Sequence, residues 1–404
     1  MPIAVQDARH RTAAAACLRA SPRVGLIRLT LTRFRNYRDA RLDLDAGPVV
    51  LSGPNGAGKT NLLEAVSFLS PGRGLRGARL RDIDHRSDDR AEEAADMPGS
   101  GWAVAAIVET GGGTLRVGTG RDPAGGERRV VRIDGEPARG HAALGERLGV
   151  VWLTPQMDRL FLEGPGGRRR LLDRLVLGLD PAHATRVGAY EQAMRERSRL
   201  LRDGPQDPAW LSALEEVMAA QGVAVAAARR DAVQRLDRAC AAAEGPFPHA
   251  RLTLVGAVEA WLDEMPALAA EDRLKAALAQ SRRADALTGG AEIGPHRSDL
   301  GVTHAEKGIA AERASTGEQK ALLISILLAH AGLQLTMRGE PPLLLLDEVV
   351  AHLDSARRSA LFETLRSLAG QVWLTGTEAA LFAPLRPEAR FLSVCDGRLS
   401  ETPL

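Results

Sequence analysis

The stretch Leu51–Ala65, "LSGPNGAGKTNLLEA", decides how the rest of the chain is read. Residues Gly53, Pro54, Asn55, Gly56, Ala57, Gly58, Lys59 and Thr60 satisfy G-x-x-x-x-G-K-[ST] at every fixed position. A short apolar run ending "PVVLS" leads in, and "TNLLEAVSFLS" follows with apolar residues at helical spacing. Strand, glycine loop and helix in that order form a phosphate-binding site. The glycines let backbone N–H groups converge on a β-phosphate, and Lys59 reaches the β- and γ-phosphates. The Thr60 hydroxyl ligates Mg²⁺, and the helix turns its positive end to the anion. Machines of very different kinds share such a loop, so its neighbours must say what the nucleotide is for.

At 404 residues the chain can bury a large core, as one domain with an insertion or as two domains. Its formal net charge is +2, so any nucleic-acid role has to rest on local patches. Only four of the 53 basic residues are lysine, and one of the four is Lys59. Cys17, Cys240 and Cys395 have no pair spacing, which implies neither a zinc site nor a disulfide framework and fits a reducing cytoplasm. The strongest apolar runs, around Leu322–Ala329 and Leu343–Leu346, are too short to span a bilayer, so no membrane association is expected. Residues 1–22 are rich in Ala and Arg without periodicity and read as a disordered extension.

Outward from the loop, "GLIRLTLTRF" alternates as a strand, and "WAVAAIVET", "TLRVGTG" and "RRVVRIDG" read as a meander with Gly-rich turns. The polar stretch 84–101 between them reads as a surface loop. From about Pro181 the period becomes helical. One helix ends at Gly204-Pro205 and a second starts near Pro208, an antiparallel hairpin that would form a lobe. Strand patterns return with "ARLTLVG" and "SDLGVTH", and the last 90 or so residues alternate helix and apolar strand, as in a doubly wound α/β half.

A phosphate loop needs a metal-holding acid on a neighbouring strand, and "PPLLLLDEVVAHLD" supplies one. Four leucines make a buried strand that ends in Asp347, which can hold Mg²⁺ through water, and Glu348, placed to polarise the attacking water. Two adjacent acids there are costly unless a cation or a hydrogen-bond network needs them. In "ASTGEQKALLISILLAH", Ser315 to Glu318 is S-x-x-E before an apolar helix: a capping box, and also an anion site at a helix N-terminus.

This order of motifs resembles the ABC/SMC ATPase superfamily, and in detail the RecF-like recombination-mediator ATPases. The resemblance runs from about Val24 to Phe391. It rests on "LTRFRNYRDARLDL", the loop with "SFLSPGRGLR", "TPQMDRLFLEGPGGRRRLLDRLV", "GPHRSDL", "STGEQKALLISILLA" and "LLLLDEVVAHLD". It implies an α/β fold: an ABC-type P-loop ATPase head, mixed sheet plus antiparallel meander, with an inserted α-helical lobe. Residues 23–178 would be the N-terminal half of the core, 179–285 the lobe and 286–404 the C-terminal half. It also implies a homodimer on ATP, with Lys59, Thr60, Asn61 and Asp347 of one subunit holding ATP and Mg²⁺. Ser315 and Gly317 of the other subunit would cover the γ-phosphate. Gln156 matches the loop that senses Mg²⁺ and the attacking water, Asp354 the loop that crosses the dimer interface, and Arg35 and Asn36 the segment near the base and phosphates. Gly376 stands where ABC enzymes carry a switch histidine, which RecF-like proteins also lack and which implies slow turnover. Ala314 replaces the usual leucine before Ser315.

The implied function is DNA-stimulated ATP hydrolysis on double-stranded or gapped DNA, with RecR- and RecO-like mediators loading RecA. Candidate DNA contacts are Arg168, Arg169 and Arg170, with Arg195, Arg197, Arg199 and Arg202 on the first lobe helix, although Glu191 and Glu196 interleave with these. Aromatic content of 3% argues against a stacking platform for single strands. The alternatives are a transporter's nucleotide-binding subunit and a short SMC-like structural ATPase, whose long coiled coil has no heptad run here.

Overall fold

The computed structural model describes residues 24–85, 101–122, 128–203, 207–368 and 370–401. The expected extension at 1–22, most of the loop at 84–101 and the Gly204-Pro205 helix stop lie outside them. Along the chain run β1 (Gly25–Phe34), β2 (Tyr37–Asp43), β3 (Val49–Ser52), α1 (Lys59–Ser67), β4 (Ala103–Thr110), β5 (Gly113–Arg121), β6 (Arg129–Ile133), β7 (Glu136–Pro137), α2 (Ala143–Arg147) and β8 (Val150–Leu153). Next come α3 (Pro165–Leu179), α4 (His183–Asp203), α5 (Pro208–Ala242), β9 (Ala250–Val255), α6 (Ala257–Glu264), α7 (Ala267–Thr288), β10 (Asp299–His304) and β11 (Ile309–Ala310). The chain closes with α8 (Thr316–Arg338), β12 (Leu343–Leu346), α9 (Ser355–Ser367), β13 (Val372–Gly376), β14 (Arg390–Cys395) and β15 (Arg398–Glu401).

The chain divides into two compact units, Met1–Met157 with His330–Leu404, and Asp158–Ala329. The second is wider than the lobe expected at 179–285, because α3 packs on β10, α4 and α5, and β9 packs on α5.

In the first unit, alternation sorts the strands onto two sheets. The sheet β2-β1-β4-β5-β6-β7 is antiparallel throughout. Leu26, Leu29 and Leu31 of β1, with Val104 and Val108 of β4, share a core with Leu62, Leu63 and Val66 of α1. Each such side chain contributes roughly 1.5–3 kcal/mol by leaving water. Phe34, Phe68 and Trp102 meet edge-on or tilted at 4.8–6.0 Å between ring centres, inside that core. The second sheet runs β15-β14-β3-β13-β12-β8, parallel from β14 to β8 with β15 antiparallel at the edge. Its β3, β8 and β12 are buried at every residue, as strands covered on both faces must be.

In the second unit, α4 and α5 are antiparallel: Arg197 meets Glu215 at 2.9 Å, while Tyr190, two turns earlier, lies against Gly222. Tyr190 and Ala193 pack with Leu214, Met218 and Val223 of α5 and with Leu274 and Leu278 of α7. A three-stranded sheet, β11-β10-β9, completes the unit. Helices α5 and α8 are longer apolar segments than the sequence runs suggested, and by length and composition each could cross a bilayer. In the structure, 50% and 61% of their apolar windows are buried inside the protein.

Candidate functional site

The topology brings the first unit's expected residues to one end of the second sheet. The phosphate loop leaves β3, Asp347 and Glu348 follow β12, and Gln156 follows β8, all at carboxyl ends of parallel strands, where open α/β sheets bind ligands. Strand β13 lies between β3 and β12 and carries Thr375 at its end. That residue bonds to both acids that follow β12.

The loop's shape demands its glycines. Gly53 has φ 148° and an added Cβ would stand 2.2 Å from the Val394 carbonyl oxygen; Gly58 has φ 113°, with Asn36 Nδ2 at 2.4 Å from such a Cβ. No side chain caps α1, which leaves the N–H groups of its first turn for an anion. Lys59 is buried, and its ammonium donates to the Gly53 and Pro54 carbonyls at 2.6 and 2.9 Å, folded over the loop. Thr60 Oγ1 donates to Asp347 at 2.9 Å, so hydroxyl and carboxylate are close enough to share a divalent cation.

Thr375 is fully buried. Its hydroxyl donates to Asp347 Oδ1 at 2.7 Å and accepts from the Glu348 N–H at 2.9 Å. Glu348 sits at φ 51°, a left-handed conformation costly for a side-chain residue, and the Thr375 bond helps hold it there. The next residue, Gly376, leaves no room for a histidine: an added Cβ would lie 2.7 Å from the Phe382 ring. Gly376→His is expected to cost about 1–3 kcal/mol in urea unfolding without speeding hydrolysis, because it overpacks rather than supplies a switch.

Arg35, expected near the nucleotide, is held by protein groups. From φ 55° it forks onto Glu64 at 2.8 and 2.9 Å and donates to the Asp82 carbonyl at 2.7 Å, tying the β1–β2 turn to α1. Arg76 shares Glu64 at 2.7 Å and donates to Asn61 Oδ1 at 2.6 Å. Asn61 in turn donates to Asn36, which reaches the Ala57 carbonyl. These contacts brace the loop from behind. Gln156 is exposed in the turn after β8, and Asp354 caps α9 through the Arg357 N–H at 2.8 Å.

Ser315 and Gly317 belong to the second unit, exposed at the start of α8. The expected capping box is present: Glu318 accepts from the Ser315 N–H at 3.0 Å and donates its own N–H to Ser315 Oγ at 3.4 Å. An ion pair from Lys307, with the Ser315 bonds, holds the Glu318 carboxyl down to about 2. A depressed carboxyl contributes fully at pH above its unfolded value and loses that contribution progressively as pH falls from there through about 2.

Three expected DNA contacts have other duties. Arg168 forks onto Asp299 at 2.8 Å twice, and Arg169 donates to the Ser298 carbonyl at 2.8 Å. Arg197 is 1% exposed and bonded to Glu215 and Asp285, which removes it from any phosphate. Arg170, Arg195, Arg199 and Arg202 stay exposed, Arg195 beside Glu191 at 3.5 Å. The "GPHRSDL" segment is a structural hub. Arg229 holds the Pro295 carbonyl, Tyr190 donates to His296 Nδ1 at 2.6 Å, and Ser298 bonds Glu259 at 2.5 Å. Burial, with Arg297 and its neighbours, pushes the His296 imidazole below its ordinary value, so it stays neutral and accepts from Tyr190.

Fold and site together define a P-loop ATPase head of the ABC/SMC type. The RecF/RecN/SMC N-terminal domain matches residues 25–386. The chain is 49% identical over 380 residues to a Mesorhizobium japonicum protein named DNA replication and repair protein RecF, covering 93% of this chain and 97% of that one. A Rhizobium meliloti protein of the same name is 48% identical, covering 94% and 99%. Among solved structures, the recombination mediator protein RecF with ATPrS superposes with a TM-score of 0.80 at 21% identity, over 95% of this chain and 99% of that one. An Smc head domain from Pyrococcus furiosus reaches 0.51 at 16% identity, covering 94% and 96%. The chain belongs to the RecF family.

Thr375→Val should leave ATP binding within a few-fold and slow hydrolysis by roughly 10- to 100-fold. That is the equivalent of losing about 1.5–3 kcal/mol of hydrogen bonding to a charged group. Thr375→Ser should restore the rate, and equal rates for the Val and Ser variants would remove the hydroxyl from the mechanism.

Proposed function

We propose that this chain is a slow, DNA-stimulated ATPase that closes as a homodimer on ATP and binds duplex DNA at gaps or junctions. There, with RecR- and RecO-like mediators, it supports RecA loading in the cytoplasm. The observation that carries the reading is the convergence of Thr60, Asp347, Thr375 and Glu348 at the ends of three adjacent strands, in a chain half identical to proteins named for DNA replication and repair.

Lys59 and the loop N–H groups would take the phosphates, with Thr60 and Asp347 holding Mg²⁺, whose chemistry is to neutralise charge on the transferred phosphoryl group. Thr375 keeps Asp347 and Glu348 in place, and Glu348 orients and deprotonates the attacking water, with Gln156 beside it. Ser315, Gly317 and Asp354 are exposed, free to cover the nucleotide of a second copy. ATP then acts as a timer, because its binding shifts a monomer–dimer equilibrium that hydrolysis resets. The names of the relatives favour this reading over a transporter subunit or a structural ATPase.

The test is retention of duplex DNA and molecular mass with ATP, with ADP and without nucleotide, across a salt series, using wild type and Glu348→Gln. ATP-specific doubling of mass with salt-sensitive retention is expected. Dimerisation on ATP without DNA binding at any salt would preserve the nucleotide chemistry and overturn the rest.

A further inference from the structure

The outer face of the antiparallel sheet takes no part in the nucleotide site. Cross-strand register puts Arg41, Thr30, Ala105, Gly118 and Arg132 in one row across β2, β1, β4, β5 and β6. The next row runs Asp43, Arg28, Ile107, Arg116. In the first row Ala105 and Gly118 have almost no side chain, and a Cβ added at Gly118 would find only the Arg132 Cβ, at 4.0 Å. The result is a trough of about 360 Å³, with Arg28 on one side and Arg116 and Arg132 on the other. The backbones of Arg28 and Arg116 stand two strand spacings apart, about 10 Å.

Its charge is not balanced internally. Arg28 and Arg41 share one carboxylate, Asp43, at 2.5 and 3.2 Å. Among the described residues Arg116 and Arg132 have no carboxylate partner; Arg132 donates to the Gly135 carbonyl at 3.2 Å, and Asp134 gives its carboxylate to the Arg116 backbone N–H at 2.9 Å. Burial explains none of the three arginines, whose side chains lie on the solvent side of the sheet.

We propose that this trough seats the phosphate backbone of duplex DNA, with Arg28, Arg116 and Arg132 as the phosphate contacts over a floor of Ala105, Ile107 and Gly118. Guanidinium forks suit phosphate oxygens, and two banks of them facing a shallow floor suit a rod of regularly spaced anions. A peptide fits less well. The trough lies over β1, β4 and β5, whose neighbours on both sides already pair with them, so no strand can be added there. A single strand fits less well too, since no aromatic side chain lines the floor.

This inference rests on the DNA-binding reading above, and the experiment separates their failures. Labelled duplex is titrated with ATP present, across a salt series, into full-length wild type, Arg116→Gln/Arg132→Gln and Gly118→Ile. The double variant should lower the slope of log affinity against log salt by about 2, weakening all sequences alike. Gly118→Ile leaves the charge intact, fills the floor with a side chain that strands accept, and should weaken binding at every salt. Both variants should keep wild-type hydrolysis in the absence of DNA. If wild type binds duplex and both variants match it, the trough is not the seat, though the DNA reading stands. If wild type ignores duplex, the DNA reading falls and this falls with it. If the variants lose binding to poly-glutamate but not to duplex, the trough serves an acidic protein and the proposal is overturned.

Discussion

Glu348→Gln is expected to lower ATP turnover by about 10²–10⁴-fold, the range a positioned general base supplies, while leaving ATP affinity near that of wild type. The substitution keeps the side chain's shape and removes its ability to take a proton. Nothing else in the site should move. The Glu348 N–H stays on Thr375, and the Asp347 carboxylate keeps Thr60 and Thr375. The residue is already held at φ 51°, so the direction in which its side chain leaves the backbone is the same for Glu and Gln. Single-turnover hydrolysis with parallel nucleotide binding checks this. A loss under tenfold would mean that the water is activated elsewhere, and joint loss of binding and turnover would mean that Glu348 holds the nucleotide. Asp347→Asn should behave differently, weakening the Mg²⁺-dependent part of binding, because that carboxylate faces Thr60 rather than the water.

How much of this could be read from the chain depended on how local the signal was. The phosphate loop, the Asp347-Glu348 pair and the Ser315–Glu318 box are contiguous runs whose chemistry needs neighbours in sequence, and each lies in the expected setting of strand end or helix start. The stretch "GLIRLTLTRF" coincides with β1 end to end, and its alternation holds from Leu29 to Thr32, where one face is core and the other is not; before that a register shift between Leu26 and Arg28 breaks the period. Thr375 was not legible. It is one polar residue in an apolar strand, and only the order β3-β13-β12 puts it between loop and acid. A hydroxyl at the end of "QVWLT" could have raised the question, since a buried hydroxyl wants a partner. Glu64 and Arg76 escaped for the same reason: their partners are Arg35 and Asn61, and helical spacing alone does not show which way a charged residue in α1 turns. Charge runs misled most. Arg168, Arg169 and Arg197 look like solvated helix faces in sequence, yet each finishes a hydrogen-bond set inside the second unit.

Arg197→Leu is therefore expected to cost roughly 3–5 kcal/mol of stability in the second unit, and to do so without being a DNA contact. Arg197 donates to Glu215 at 2.9 Å, to Asp285 at 2.7 Å and to the Leu278 carbonyl at 2.7 Å, and all three side chains are 1% exposed. Removing the guanidinium leaves two carboxylates without their central cation in a region that water does not reach. Arg282 still holds Glu215, at 2.6 and 2.9 Å, but among the described residues the Asp285 carboxylate keeps only the Ser281 hydroxyl, at 2.6 Å. The unpaired acid, not the lost arginine, is then the larger penalty. Adding Asp285→Leu to Arg197→Leu should accordingly recover part of the loss, because replacing a buried pair by apolar groups is close to neutral. The paired measurement is the urea midpoint against the salt slope of duplex binding. A lower midpoint with an unchanged slope fits a buried strut joining α4, α5 and α7. An unchanged midpoint with a slope reduced by about 1 would return Arg197 to the solvent-facing role that its place among Arg195, Arg199 and Arg202 suggests.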